Sequence, residues 1–157
     1  MKQFTESHLK DWKEDYIKLL ENKRYSLNKE NVWMLGEKKG IICFFSDNEI
    51  AYICYAKSIY QTLKDILEVK KNNGLVKLIM THDLDISTKK INQKSFTQSR
   101  INKIKKIVNT FEFTLLNLNS NNIENITNAF VVISDPIYNG HTSNLNRILD
   151  DLPQKKL

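Results

Sequence analysis

The sequence predicts an α+β domain, a small and mainly antiparallel sheet of three to four strands flanked by helices, with an extra helix at the N-terminus. Three observations carry that reading. Apolar residues recur at three- and four-residue spacing in several separate segments. Two short β-branched and aromatic runs, residues 40–46 and 50–55, are separated by Asp47-Asn48-Glu49, the pattern of a β-hairpin. The length of 157 residues, 41% of them apolar and 27% charged, suits one domain with its own core. Four glycines and two prolines are too few for a fibre, and the apolar content is too high for a disordered polymer.

Each element follows from its period. Residues 7–24 read as an amphipathic helix with Leu9, Trp12, Tyr16, Leu19 and Leu20 on one face and Ser7 able to cap its start. Residues 25–39 are a polar connection in which Val32, Trp33, Met34 and Leu35 form a packing plug. After the hairpin, a helix over 58–70 turns Ile59, Leu63, Ile66 and Leu67 inward, and Asn72-Asn73-Gly74 stops it. Residues 75–80 read as a strand, followed by a polar stretch to 97. Ile101, Ile104, Ile107 and Val108 mark the next helix, and residues 111–118 the next strand. Beyond the Asn-rich turn 119–122, Ile123, Ile126, Phe130, Val131 and Ile133 sketch a last helix, closed by Asp135-Pro136. The expected layout is an N-terminal helical extension over 1–34, a domain over 35–149 with an insertion near 71–97, and a frayed tail over 150–157.

The formal charge is +6, carried by lysine: arginine occurs only at Arg24, Arg100 and Arg147. Such an excess suits either a polyanion-binding face or a set of solvated lysines. The best basic patch is the helix face of Arg100, Lys103, Lys105 and Lys106, which Lys89, Lys90 and Lys94 extend. No stretch approaches the roughly 18–20 consecutive apolar residues that cross a bilayer. The N-terminus is charged where a secretory signal needs an apolar run. A cytoplasmic protein with no membrane partner is expected. Cys43 and Cys54 are too few for a disulfide framework or a zinc site. They sit on the two hairpin strands, where register decides whether they face each other, and they read as small buried hydrophobes.

Within the hairpin and its helix, Gly40-Ile41-Ile42 and the run Tyr52-Ile53-Cys54-Tyr55-Ala56-Lys57-Ser58, continuing to Leu63, resemble the signature of the GIY-YIG nucleases. The likeness is closest to the N-terminal nuclease domain of the bacterial excinuclease. Residues 127–139, ending in Asp135-Pro136-Ile137-Tyr138-Asn139, look like that family's closing pattern. The resemblance spans roughly residues 35–140 and implies a metal-dependent phosphodiesterase fold. It puts Tyr52 at the general-base tyrosine and Asn139 at the closing asparagine. It also puts Ile42, Cys54, Tyr55 and Ile66 where the family has tyrosine, glycine, lysine and tyrosine. Thr62 stands at the arginine that stabilises charge on the phosphate, and Thr127 at the glutamate that binds the metal. Neither threonine can replace a cation or a carboxylate ligand, and losing one transition-state donor costs roughly 10²–10³ in rate. Substitutes exist nearby: Glu124 lies one helical turn before Thr127 as the sole metal candidate, and Lys57 or Lys64 can approach a phosphate as point charges.

The resemblance therefore implies a catalytically degenerate GIY-YIG-like domain, a nucleic-acid-binding or accessory protein without nuclease activity and without a cofactor. Lys57, Lys64, Arg100, Lys103, Lys106 and Asn139 are its candidate DNA contacts. One alternative is an active DNA endonuclease using Tyr52 with Mg²⁺ or Mn²⁺. Another is a protein-interaction or inhibitor module whose partner meets residues 7–24. Tyr52, Tyr55 and Tyr60 are candidates for stacking on bases or for core packing. His82, Asp83 and Asp85 read as a loop or strand end rather than a metal site, which needs more converging ligands. His141 reads as a surface histidine, and His8 lies on the N-terminal helix.

Overall fold

The computed structural model describes residues 5–139 and 145–155, the side chains of 145–147 excepted. Its sheet is antiparallel throughout, with four strands in the order β1-β4-β2-β3: β1 is Tyr25–Ser26, β2 Gly40–Ser46, β3 Glu49–Ala56 and β4 Glu112–Asn117. β2 lies between β3 and β4, which is why its run GIICFFS is apolar without alternation: both faces are covered. β3 alternates, because it is an edge strand. Asp47 and Asn48 join β2 to β3 with φ of 49° and 67°, the left-handed pair that a tight hairpin turn requires and that Asp and Asn tolerate.

Helices cover both faces. On the first, Ile42, Phe44 and Phe113 pack against three helices, α3 (Ile59–Leu67), α4 (Gly74–Leu84) and α5 (Gln98–Val108), through Leu63, Ile66, Ile79 and Ile104. The short α2 (Lys29–Trp33) joins this layer through Val32. On the second face, Ile41, Cys43, Phe45 and Ile53 pack against α6 (Ile123–Ser134) and the N-terminal segment. That segment is 3₁₀ over Glu6–Trp12, broken by a kink at Lys10, followed by α1 (Lys13–Glu21), and the last helix, α7 (Leu145–Asp150), lies against α6. The fold class is α+β, as the hydrophobic periods predict.

Several local expectations are corrected. Residues 75–80 are helical, in α4, and not a strand. The Asn73 side chain accepts the Val76 N–H at 3.1 Å, so Asn72-Asn73-Gly74 opens α4 instead of merely ending α3. Leu75, Val76, Ile79 and Met80 then bury one stripe, at a spacing that a six-residue apolar run does not distinguish from a buried strand. α3 itself ends at Leu67, and Val69 takes a φ of 53°.

The N-terminal segment is a layer of the domain. Leu9, Trp12, Tyr16 and Leu19 are all buried, and the Tyr16 hydroxyl lies 2.7 Å from Ser134 Oγ. Its apolar face is therefore occupied by the protein's own core and is not free for a partner. Ser7 lies inside the 3₁₀ turn, with Thr5 at the capping position. The tail is held as far as Lys155: Leu149 and Leu152 are buried, the Trp12 indole N–H donates to the Pro153 carbonyl, and the Lys155 ammonium pairs with Asp15. Polarity alone suggests fraying because the apolar anchor is a single leucine. In the plug, Val32 is buried and Leu35 half-buried, but Trp33 is 70% and Met34 85% exposed. None of the described helices is long and apolar enough to cross a membrane.

Candidate functional site

Tyr52 and Cys54 leave β3 on the face covered by α3 and α4, because side chains on a strand alternate. There they line a cleft of about 420 Å³ together with Tyr55, Thr62, Ile66 and Lys70. Tyr52, Cys54, Tyr55, Thr62 and Ile66, five positions that the GIY-YIG resemblance singles out, thus do converge. The Tyr52 hydroxyl approaches the start of α4 closely: a Cβ at Gly74 would lie 3.2 Å from it. Burial, and after it the neighbouring Cys54, push the Tyr52 pKa above its ordinary value of 10.0. The phenol therefore stays protonated at neutral pH. A general base needs the opposite shift.

The other half of the implied catalytic set lies elsewhere. The apolar side chains of α6 pack into the second face of the sheet, the face opposite Tyr52. Thr127 is buried there, and its hydroxyl donates to the Ile123 carbonyl at 2.7 Å, the back-bond of a threonine inside a helix. Glu124 is exposed on the first turn of the same helix. Among the described residues, no group of three or more His, Cys, Asp or Glu side chains is placed to hold a metal ion.

Asn139 has a backbone role. Its amide bonds both the N–H and the carbonyl of Ile53 on the free edge of β3, so it pins that edge and does not offer its polar atoms to a groove. Arg100 is half-buried and donates to the Ser95 carbonyl at 3.0 Å, leaving the basic face that its place in the sequence suggests. Lys57, Lys103 and Lys106 are exposed, as are Lys89, Lys90 and Lys94.

The remaining candidates resolve locally. His82 and Asp83 lie on the last turn of α4, and Asp85 is its left-handed cap. The Tyr138 hydroxyl donates to Asp83 Oδ2 at 2.7 Å, and the His82 ring stands edge-on to Tyr138 with centroids 5.1 Å apart. This cluster ties α4 to the chain leaving α6. His8 Nδ1 accepts the Thr5 N–H at 3.0 Å. His141 lies outside the described residues. Cys43 stands opposite Ile53 and Cys54 opposite Ile42, so the two sulfurs project from opposite faces of the sheet and cannot meet. Burial raises both thiols from 9.0 to about 12.

A second groove, of about 550 Å³, opens where α2, α3 and α5 meet. Each helix contributes a pair four residues apart, the spacing that stacks side chains on one helix face: Lys29 and Trp33 from α2, Tyr60 and Lys64 from α3, and Lys105 of α5 with Asn109 at its C-cap. Among the described residues the site thus holds three lysines and two aromatic rings, against one acid, Glu68. Lys64 and Lys105 are the basic residues that the fold gathers out of those the sequence singles out. Trp33, which its apolar neighbours place in the core, lines this groove instead. Its i, i+4 relation to Lys29 is the signal that it shares a polar face, since Val32 alone satisfies the core at that turn.

Comparison of the chain with protein-family models, with curated proteins and with solved structures gives no match.

Proposed function

We propose that this protein is a non-catalytic nucleic-acid-binding or accessory domain that engages its ligand through the groove between α2, α3 and α5. The observation that carries the reading is the convergence of Lys29, Lys64 and Lys105, from three helices, on one concave surface that also presents aromatic rings. A net charge of +6 supports a polyanionic ligand. The likeness to GIY-YIG nucleases enters as a scaffold stripped of its chemistry. Thr62 and Thr127 lack charge, and Tyr52 and Glu124 belong to opposite layers of the fold. A cytoplasmic location belongs to the same reading, in keeping with two free cysteines.

Fluorescence anisotropy with labelled single-stranded, duplex and branched DNA at increasing salt tests it. Binding should weaken steeply as salt rises, because phosphate contacts release counterions. The double variant Lys64→Ala/Lys105→Ala should bind more weakly and lower the slope of log K against log salt by roughly 2, about one per lost phosphate contact. Absent or salt-insensitive binding to all the DNAs would overturn the proposal. Mn²⁺-dependent nicking that disappears in Tyr52→Phe would restore the endonuclease in its place.

A further inference from the structure

We infer that the groove is a site for single-stranded nucleic acid, in which an unpaired base stacks on Trp33 while the adjoining phosphates meet Lys64 and Lys105; this rests on the nucleic-acid reading above and narrows it. Trp33 is 70% exposed and Met34 85%, two successive large apolar side chains that a self-sufficient core has no reason to leave in water. The fold anchors the turn that carries this ring all the same. Asn28 caps α2 by accepting the Asn31 N–H at 2.9 Å, Asn31 donates to the Ser26 carbonyl at 2.8 Å, and Val32 is buried beside it. Trp33 is therefore presented from an anchored turn, so its backbone needs no ordering when something lands on it.

The neighbours of the ring decide between occupants. A protein helix would find an apolar floor interrupted by Lys29, Lys64 and Lys105, with Glu68 the one acid among the described lining residues to offset them. A single strand supplies what each group needs: a flat π-face for Trp33, with Tyr60 deeper in the same groove, and a phosphate for each lysine. Duplex DNA offers the phosphates alone, since its base faces are already stacked on one another. Three lysines bind both forms, but the exposed tryptophan rewards only the strand whose bases are free.

The test uses the full chain with a fluorescein-labelled dT15 and a hairpin duplex of equal charge, read by anisotropy at fixed low salt. The wild type should prefer dT15, and Trp33→Ala should weaken dT15 binding by about tenfold while leaving the hairpin unchanged. Trp33→Phe, which keeps a ring, should recover part of the loss. Intrinsic fluorescence gives an independent readout. Trp12 is buried at 6% exposure, so quenching by dT15 should vanish in Trp33→Phe although Trp12 still emits. Equal affinity of wild type and Trp33→Ala for dT15, or a preference for the hairpin, overturns the stacking site. If Lys64→Ala/Lys105→Ala still weakens binding, the broader nucleic-acid reading survives that result. Binding to neither DNA overturns both readings and leaves Trp33 and Met34 as a protein-facing surface.

Discussion

The side-chain amide of Asn139 closes a ring with the backbone of Ile53: the Ile53 N–H donates to Asn139 Oδ1 at 2.9 Å, and Asn139 Nδ2 donates to the Ile53 carbonyl at 2.9 Å. β3 is the sheet's edge, and this contact is the end of a longer seal. Ile137 N–H reaches the Ile50 carbonyl and Tyr138 N–H the Ala51 carbonyl, so the chain leaving α6 runs along β3 and occupies groups that would otherwise invite pairing with another molecule. Asn139→Ala should cost about 1–3 kcal/mol, because it leaves both Ile53 groups without their partner. Thermal unfolding should show a melting temperature lower by roughly 3–10 °C. An unchanged melting temperature would show that water serves the β3 edge equally well.

Gly40 stands at the start of β2, against β4 and the first residue of α3. A Cβ there would lie 2.4 Å from the Leu116 carbonyl oxygen and 2.9 Å from Ile59 Cδ1. The first obstacle is backbone of the central strand pair and cannot swing aside. Gly40→Ala should therefore destabilise the protein by about 3 kcal/mol, measured as a fall in the urea midpoint. Gly36, with nothing within 4 Å of its would-be Cβ, is the control: Gly36→Ala should unfold with the wild type.

Thiol chemistry should follow burial. Burial lifts Cys43 and Cys54 from 9.0 to about 12 in the folded state. The folded pKa lies above the unfolded one, so the protonated thiol is favoured by folding. That stabilisation is complete below pH 9 and is lost as the pH climbs toward 12. Tyr52 and Tyr138, both raised above 10.0 by burial, act in the same direction. Melting temperature should hold steady near neutral pH and fall through this alkaline window. A thiol reagent at pH 8 should leave the fully buried Cys43 unlabelled in the native protein, reach Cys54 sooner through the cleft that it lines, and label both in guanidinium. Rapid native labelling of Cys43 would show that the layer of α6 and the N-terminal segment opens far more readily than its packing implies.

Leu152 is buried at 8% exposure among Trp12, Leu149 and their neighbours. Leu152→Ala should cost about 2 kcal/mol and shift Trp12 emission to the red, as water reaches an indole whose N–H donates to the Pro153 carbonyl. A neutral substitution would return the last residues to the frayed tail that their polarity suggests.

The elements whose local chemistry is self-sufficient are legible from the sequence. The hairpin needs only two apolar runs and a turn of residues that accept positive φ, and Asp47-Asn48 supply it. α3, α5 and α6 each show a helical stripe long enough to exclude other periods. Residues 75–80 are not legible, because a six-residue apolar run serves a buried strand or one side of a helix equally well. The decision comes from Asn73, whose side chain caps forward to Val76. Tyr52 and Thr62 share a cleft as their order in the chain suggests, since a strand and the helix following it pack together.

Sequence by itself determined the α+β class, the hairpin, the order of most elements and the excess of lysine, because period, turn chemistry and charge are properties of neighbouring residues. Tertiary structure alone decided which face of the sheet each helix covers. That choice separates Thr127 and Glu124 from Tyr52, takes Asn139 to the edge of β3, and draws Lys29, Lys64 and Lys105 into one groove beside Trp33. The physical reason is that a helix with one apolar stripe satisfies the hydrophobic effect equally on either face of a sheet that is apolar on both. Only the packing of the whole chain removes the degeneracy.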